Sequence, residues 1–273
     1  MANENSEEVS AASTSARDQF DRQASHYNTR WASWSDETLR QMVALADPQP
    51  DWRVLDVATG SGFTAMALAP LVAEVIGADI SPGMLAQAAK QAAERGIENV
   101  QWVEAPAEAL PFPDEAFDLV TCRIAPHHFA SIPQFLTESF RTLKLGGVLV
   151  IGDTAVPDEK PDAAAWQNRV EKERDTSHVR NLSPSEWRTA AETAGFIVTQ
   201  ADYLPGAIPI PLTAWLETSG TTGERADQVR QWFAEAPESA RQEFQIATAP
   251  ATGEVTFAWA RVILRGERRN GVQ

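Results

Sequence analysis

The residues able to do chemistry lie in a few short runs. In Val54-Leu55-Asp56-Val57-Ala58-Thr59-Gly60-Ser61-Gly62-Phe63-Thr64-Ala65, a strand-like stretch breaks at two glycines and reopens as a helix. Glycine at such a break lets a ligand approach the backbone closely. Gly60, Gly62 and Ala65 satisfy the Gly-x-Gly-x-x-Gly/Ala pattern of dinucleotide sites, and Asp79 follows at a distance suited to a ribose. Electrostatics separates the two candidate ligands. The carboxylate of Asp56 repels a pyrophosphate seated over the helix N-terminus, but it attracts a cofactor carrying an α-ammonium and a sulfonium. The run therefore favours S-adenosylmethionine, with a nicotinamide dinucleotide and its oxidoreductase chemistry as the alternative. Its cofactor-facing candidates are Asp56, Ala58, Gly60 and Gly62. Asp79, ending Val75-Ile76-Gly77-Ala78-Asp79, is expected to accept both ribose hydroxyls, because the competing role of helix cap already belongs to Ser81 with Pro82.

Methyl transfer from a sulfonium is an in-line displacement, so aligning the partners and excluding water carries most of it. Where an acceptor must lose a proton, a histidine is the natural base. Of four histidines, His127 and His128 follow a strand-like run and fall at its carboxyl end, the edge where open sheets bind ligands. Adjacent side chains in a turn diverge, so one of the pair is expected to face the site, with packing as the alternative for both. Asp153 ends the next strand, as an acceptor contact or a helix cap. His178, inside the charged run Arg174 to Arg180, either reads a polar substrate group or sits on a solvated face. The lone Cys122 lies in an apolar run and is expected to fill core. No cluster of metal ligands stands out, so no metal is expected.

Elements able to position these groups follow from periodicity. Helical spacing after Ser35 ends at Asp47-Pro48. Strand-like runs at 53–57, 74–78, 100–104, 117–122 and 148–152 then alternate with helical ones, the third of which is expected to stop at Gly146-Gly147. A capping box, Ser183-Pro184-Ser185-Glu186, opens a further helix, and 196–203 and 254–264 read as two more strands able to pair antiparallel at one edge. Such alternation predicts an α/β fold: a mostly parallel sheet with helices on both faces. The charged, helical stretch 155–190 and the proline-broken stretch 205–253 follow strand ends and are expected to cover the substrate. Residues 1–16 and 266–273 read as tails around a single domain, 17–265, whose first part, 17–48, forms cap helices.

The 273 residues carry 23 Lys and Arg against 38 Asp and Glu, a net charge of −15 that disfavours nucleic acid as a general partner. No apolar run approaches the roughly 20 residues of a membrane span, and the N-terminus lacks a signal pattern, so a cytoplasmic location is expected.

Four motifs in order give the sequence a family likeness: Leu55 to Gly62, Asp79-Ile80-Ser81-Pro82-Gly83-Met84-Leu85, Ala107-Glu108-Ala109-Leu110-Pro111-Phe112, and Arg141-Thr142-Leu143-Lys144-Leu145-Gly146-Gly147. Over about 53–154 the chain resembles the class I S-adenosylmethionine-dependent methyltransferases, particularly the ubiquinone and menaquinone biosynthesis group. The resemblance implies a Rossmann-like seven-stranded sheet with an antiparallel last strand. It also implies that Ile80 and Met84 sandwich the adenine, that Ala107 and Glu108 sit beside it, that Arg123 begins the segment beneath the methionine half, and that the piece Phe20 to Tyr27 closes over the cofactor with Tyr27 in contact. Ala105-Pro106 replaces the Gly-Asp common in the family, removing a carboxylate from the adenine end. Trp31, Trp34, Trp166 and Trp215 lie in the covering regions and suggest a small apolar or aromatic acceptor, methylated at oxygen, carbon or nitrogen. A protein that binds the cofactor without methylating is the remaining alternative.

Overall fold

The computed structural model describes residues 17, 20, 21 and 31–269, with residues 31–36 described as backbone only. Helix α1 (Trp31–Ala46) begins four residues before Ser35 and ends where expected. Strand β1 (Arg53–Val57) and helix α2 (Phe63–Leu68) flank the glycine turn, and β2 (Glu74–Asp79) runs into α3 (Pro82–Glu94). Ser81 caps α3 by accepting the Met84 amide, with proline in the first turn. Strands β3 (Val100–Glu104) and β4 (Phe117–Arg123), helix α4 (Ile132–Thr142) and strand β5 (Leu143–Thr154) complete the alternating part.

Helix α4 stops at Thr142, short of Gly146-Gly147, and β5 starts at once. Leu143 pairs with Phe117 and Val148 with Leu119, so the residues between bulge out of the ladder. Gly146 takes a left-handed φ of 84° there, with its amide donating to the Arg268 carbonyl.

The main sheet has seven strands in the order β3-β2-β1-β4-β5-β10-β6, where β6 is Ile197–Leu204 and β10 is Arg261–Glu267. Strand β10 runs antiparallel to both neighbours, and all other pairings are parallel. The last strand is therefore inserted beside the edge strand, and it extends through Glu267, past the expected start of the tail. The central strands are apolar throughout because helices cover both faces. One face packs Leu55, Val57, Cys122, Phe135 and Trp187, and the other packs Met42, Val54, Leu119 and Val150.

The stretch expected as one strand over 254–264 breaks in two. Strand β9 (Val255–Phe257) leaves the main sheet and joins β7 (Ile210–Pro211) and β8 (Ala247–Thr248) in a small antiparallel sheet. Helix α5 (Pro161–Arg174), from the first covering stretch, packs on α8 (Gly223–Ala234) and α9 (Glu238–Glu243), from the second; helix α6 (Pro184–Thr193) packs instead on β6, β10 and α4 of the main layer, and α7 (Leu212–Ser219) on the small sheet. The two stretches thus form one cap with its own core, in which Trp166, Trp215, Phe233, Phe244, Phe257 and Trp259 meet edge to face.

Candidate active site

Carboxyl ends of β1, β2 and β4 border a cleft of about 1010 Å³ including its open mouth. Gly60 adopts a left-handed φ of 54°, and a Cβ there would meet nothing within 4 Å, so its backbone faces open space. Gly62 differs. A Cβ on it would lie 2.7 Å from the Trp102 ring, so packing against β3 requires a glycine here. Gly77 meets the same ring at 2.6 Å. Trp102 went unnoticed in the sequence because nothing local marks it as the neighbour of two glycines.

Asp56 holds the turn together. Its carboxylate is buried, accepting the hydroxyls of Thr59 at 2.6 Å and Thr121 at 2.7 Å. Burial raises its pKa to about 6, against the two hydroxyls and the Arg123 charge. Asp79 lies at the cleft wall, 7% exposed. One oxygen accepts the Gly60 amide at 2.7 Å and the other the Ser81 amide at 2.9 Å. An ionised carboxylate has about four acceptor positions, so each oxygen keeps one for a ligand. Burial raises the Asp79 pKa to about 6, opposed by those two amides and aided by Asp56 and Asp21.

Ala58, Ile80, Met84, Ala107, Glu108 and Arg123 all line the same cleft. Glu108 also accepts the amides of Ala130 and Ser131, which fixes the loop carrying Phe129. Arg123 donates to Thr64 at 3.0 Å. Phe20 lines the cleft, and Asp21 accepts from the Ser81 hydroxyl and the Gly83 amide, joining the N-terminal segment to the start of α3. Tyr27 lies outside the described residues, as do the side chains of Trp31 and Trp34. Trp166 and Trp215 belong to the cap core and line no part of this cleft.

The two adjacent histidines take opposite roles. His127 turns into the protein, 7% exposed, with Nδ1 2.7 Å from Asp153, whose other oxygen accepts the His127 amide at 3.0 Å. Burial disfavours its charge, but Asp153, backed by Glu171 and Asp175, outweighs burial and raises its pKa above the ordinary 6.5. His128 lines the cleft, edge-on to Phe20 with ring centres 5.0 Å apart. Its Nδ1 is 3.0 Å from the Ser177 hydroxyl, which donates to Asp175 at 2.6 Å. Asp175 can only accept, so the single hydroxyl proton is committed and His128 must donate from Nδ1. Its Nε2 is left with a free lone pair. Burial, then the neighbouring His127 charge, hold the His128 pKa well below its ordinary value. His178 completes the group, its ring centre 5.4 Å from that of His127, and burial likewise lowers its pKa. Among the described residues no group of three His, Cys, Asp or Glu is arranged to hold a metal ion. Nor is any described helix long and apolar enough to cross a membrane.

This architecture, an antiparallel strand inserted into a parallel sheet with a glycine turn and a buried carboxylate at the carboxyl ends of β1 and β2, defines a class of protein. Residues 55–151 match the family model described as "Methyltransferase domain". An "uncharacterized methyltransferase", YcgJ of Bacillus subtilis, is 34% identical over 250 residues, covering 92% of this chain and 98% of that protein. Its crystal structure superposes with a TM-score of 0.80 at 33% identity, covering 86% of this chain and all of that one. A demethylmenaquinone methyltransferase of Thermus thermophilus is 46% identical over 114 residues, 41% of this chain and 51% of that protein. The chain belongs to the class I S-adenosylmethionine-dependent methyltransferases, and it is similar along nearly its whole length to YcgJ.

Proposed function

We propose that the cleft transfers a methyl group from S-adenosylmethionine to a small organic acceptor, with His128 as the base when the acceptor must lose a proton. The observation that carries the reading is the convergence of Asp79, the open backbone at Gly60 and the Nε2-bearing ring of His128 on one cleft. The residues present fit the cofactor. Asp79 retains an acceptor position on each oxygen for two ribose hydroxyls, Ile80, Met84 and Ala107 offer an apolar slot for adenine, and the charged groups beside the Gly60 turn are the carboxylates Asp56 and Asp79, which oppose a pyrophosphate. This last point disfavours the nicotinamide alternative.

When bound, the cofactor supplies a methyl group on a sulfonium that departs as a neutral thioether. Asp79 and the Gly60 backbone orient the nucleoside. Asp56, by tying Thr59 to Thr121, keeps the turn in shape. Glu108 holds the loop that places Phe129 at the acceptor end, and Phe20 closes it against water. His128 takes the acceptor proton on Nε2, while Ser177 and Asp175 fix its tautomer and stabilise the imidazolium that forms. With the cap tryptophans in a separate core, Phe20, Phe129 and Ile124 are what support an apolar or aromatic acceptor. The reading includes a cytoplasmic setting, in keeping with a single buried thiol, Cys122.

Calorimetric titration tests it. S-adenosylmethionine or S-adenosylhomocysteine is expected to bind at micromolar concentration and NAD not at all, and an acceptor screen is expected to release S-adenosylhomocysteine. Binding of NAD alone would reverse the assignment, and tight cofactor binding without turnover on any phenol, amine or acid would favour a non-methylating role.

A further inference from the structure

A second cleft, outside the catalytic one, lies at the same edge of the sheet between the start of α1, the loop after β6 and the first residue of β10. Its walls are Leu204, Pro205, Ile208, Ile210 and Trp259, and its inner end is Arg261. Arg261 is 8% exposed. Two of its bonds go to backbone carbonyls, of Trp259 at 3.3 Å and Ala260 at 3.1 Å, and its Nε is buried with no acceptor. It forms no ion pair with any described residue. The indole N–H of Trp259, in the same wall, is likewise buried without an acceptor. Asp153 and Glu171 lie close enough to favour the guanidinium charge, but burial prevails and lowers its pKa. Among the described residues the one carboxylate lining this cleft, Glu37, is exposed and occupied by Arg40 and Gln41.

A buried guanidinium with an unpartnered Nε and no ion pair among the described residues is costly, several kcal/mol as a rule, and proteins retain one where a bound anion repays it. The shape of the cleft narrows the anion. Its apolar walls would gain nothing from a bare inorganic ion, and a planar carboxylate matches the forked donors of arginine. We propose that this cleft binds a small organic acid, its carboxylate on Arg261 and its apolar body against Ile208, Ile210 and Trp259. The site does not depend on the methyl-transfer reading, but it adjoins that chemistry. Arg261 pairs with Thr154, two residues beyond Gly152, which pairs with Arg123 of the catalytic cleft. With strands ~4.8 Å apart and ~3.3 Å per residue, the two arginine backbones are about 12 Å apart, within the length of one small molecule.

Phenylacetate and its neutral isostere phenylacetamide are the probes, titrated by ligand-observed NMR against the full-length protein. Phenylacetate is expected to bind and phenylacetamide to bind at least tenfold more weakly. Arg261→Met is expected to remove that preference. Ile208→Glu, a change at an exposed rim position, places a carboxylate against the guanidinium and is expected to weaken phenylacetate at least tenfold without disturbing the fold. Affinity for S-adenosylhomocysteine should stay within twofold in both variants, which separates failure of this site from failure of the catalytic one. Equal binding of acid and amide, sulfate competing as well as phenylacetate, binding unaltered by both substitutions, or no binding of the acid would each overturn the proposal.

Discussion

The two ends of the catalytic cleft are built in contrasting ways. The heart of the proposed cofactor end comes from one continuous βαβ stretch, in which Gly60 and Asp79 lie 19 residues apart and are joined by a single hydrogen bond. The acceptor end is assembled across the fold: His128 follows β4, while Ser177 and Asp175 come from the segment after α5, 49 residues away from it. A short stretch can carry its own geometry in local turns and caps. An assembly of distant segments depends on packing to bring polar groups within 3 Å of one another, and so its chemistry is decided by the cap.

The largest expected effect tests the acceptor end. For an acceptor that loses a proton, His128→Ala should lower kcat by roughly 10²–10⁴-fold, the usual worth of a general base, with cofactor affinity nearly unchanged. His127→Gln should instead lower melting temperature, because it breaks the buried pair with Asp153. Stopped assays and calorimetry distinguish the two, and equal losses of kcat in both variants would erase the division of roles between the histidines.

At the cofactor end, Asp79→Ala should weaken S-adenosylmethionine by about 100-fold, as expected for lost hydrogen bonds to a buried charged group at ~1.5–3 kcal/mol. Unchanged affinity would remove Asp79 from the site.

The two glycines of the turn sharpen the same contrast between ligand contact and packing. Gly62→Ala combines a left-handed φ of 85° with a collision at Trp102 and should cost ~2–3 kcal/mol of stability. Gly60→Ala meets no atom and should cost only the ~1–2 kcal/mol of the backbone conformation. Denaturant midpoints give both values, and part of the Gly62→Ala loss should return when Trp102 is replaced by leucine.

The smallest effects are in pH. Asp79 has its pKa raised from 3.8 to about 6, so the ionised form that accepts two hydroxyls is depleted as pH falls below about 6. Cofactor affinity should drop by at most tenfold per unit there, be flat above, and lose this slope in Asp79→Asn. His127 works in the opposite sense. Its raised pKa contributes stability in full below 6.5, lost as pH rises through the folded value. Melting temperature should show this decline in the wild type and not in His127→Gln.

Much of the cofactor end was legible before any coordinates. The seven strands, the turn at Gly60, the Ser81 cap and the placement of Asp79 follow from strand-turn-helix patterning, and the family resemblance pointed to Ile80, Met84 and Ala107 on the same cleft. Asp56 and Gly62 were legible as special residues but not as what they are. The sequence signals that a carboxylate or a glycine is needed at a position, but it does not say whether the neighbour is a ligand, a pair of threonines or the face of a tryptophan. His127 and His128 stood out together, and which of them faces the cleft depends on Asp153 on one strand and Ser177 on a distant loop.

The sequence by itself determined the alternation of elements, the sheet they make and the loop that meets the cofactor, because these rest on periodicity and on turns closed within a few residues. Only the tertiary structure decided that two separate stretches fuse into one cap, that the 254–264 stretch divides between two sheets, and that Arg261 ends buried with its Nε unpartnered. Those outcomes rest on contacts between residues far apart in the chain. No local pattern encodes the partner across such a gap, since packing selects it from everything the fold brings within reach.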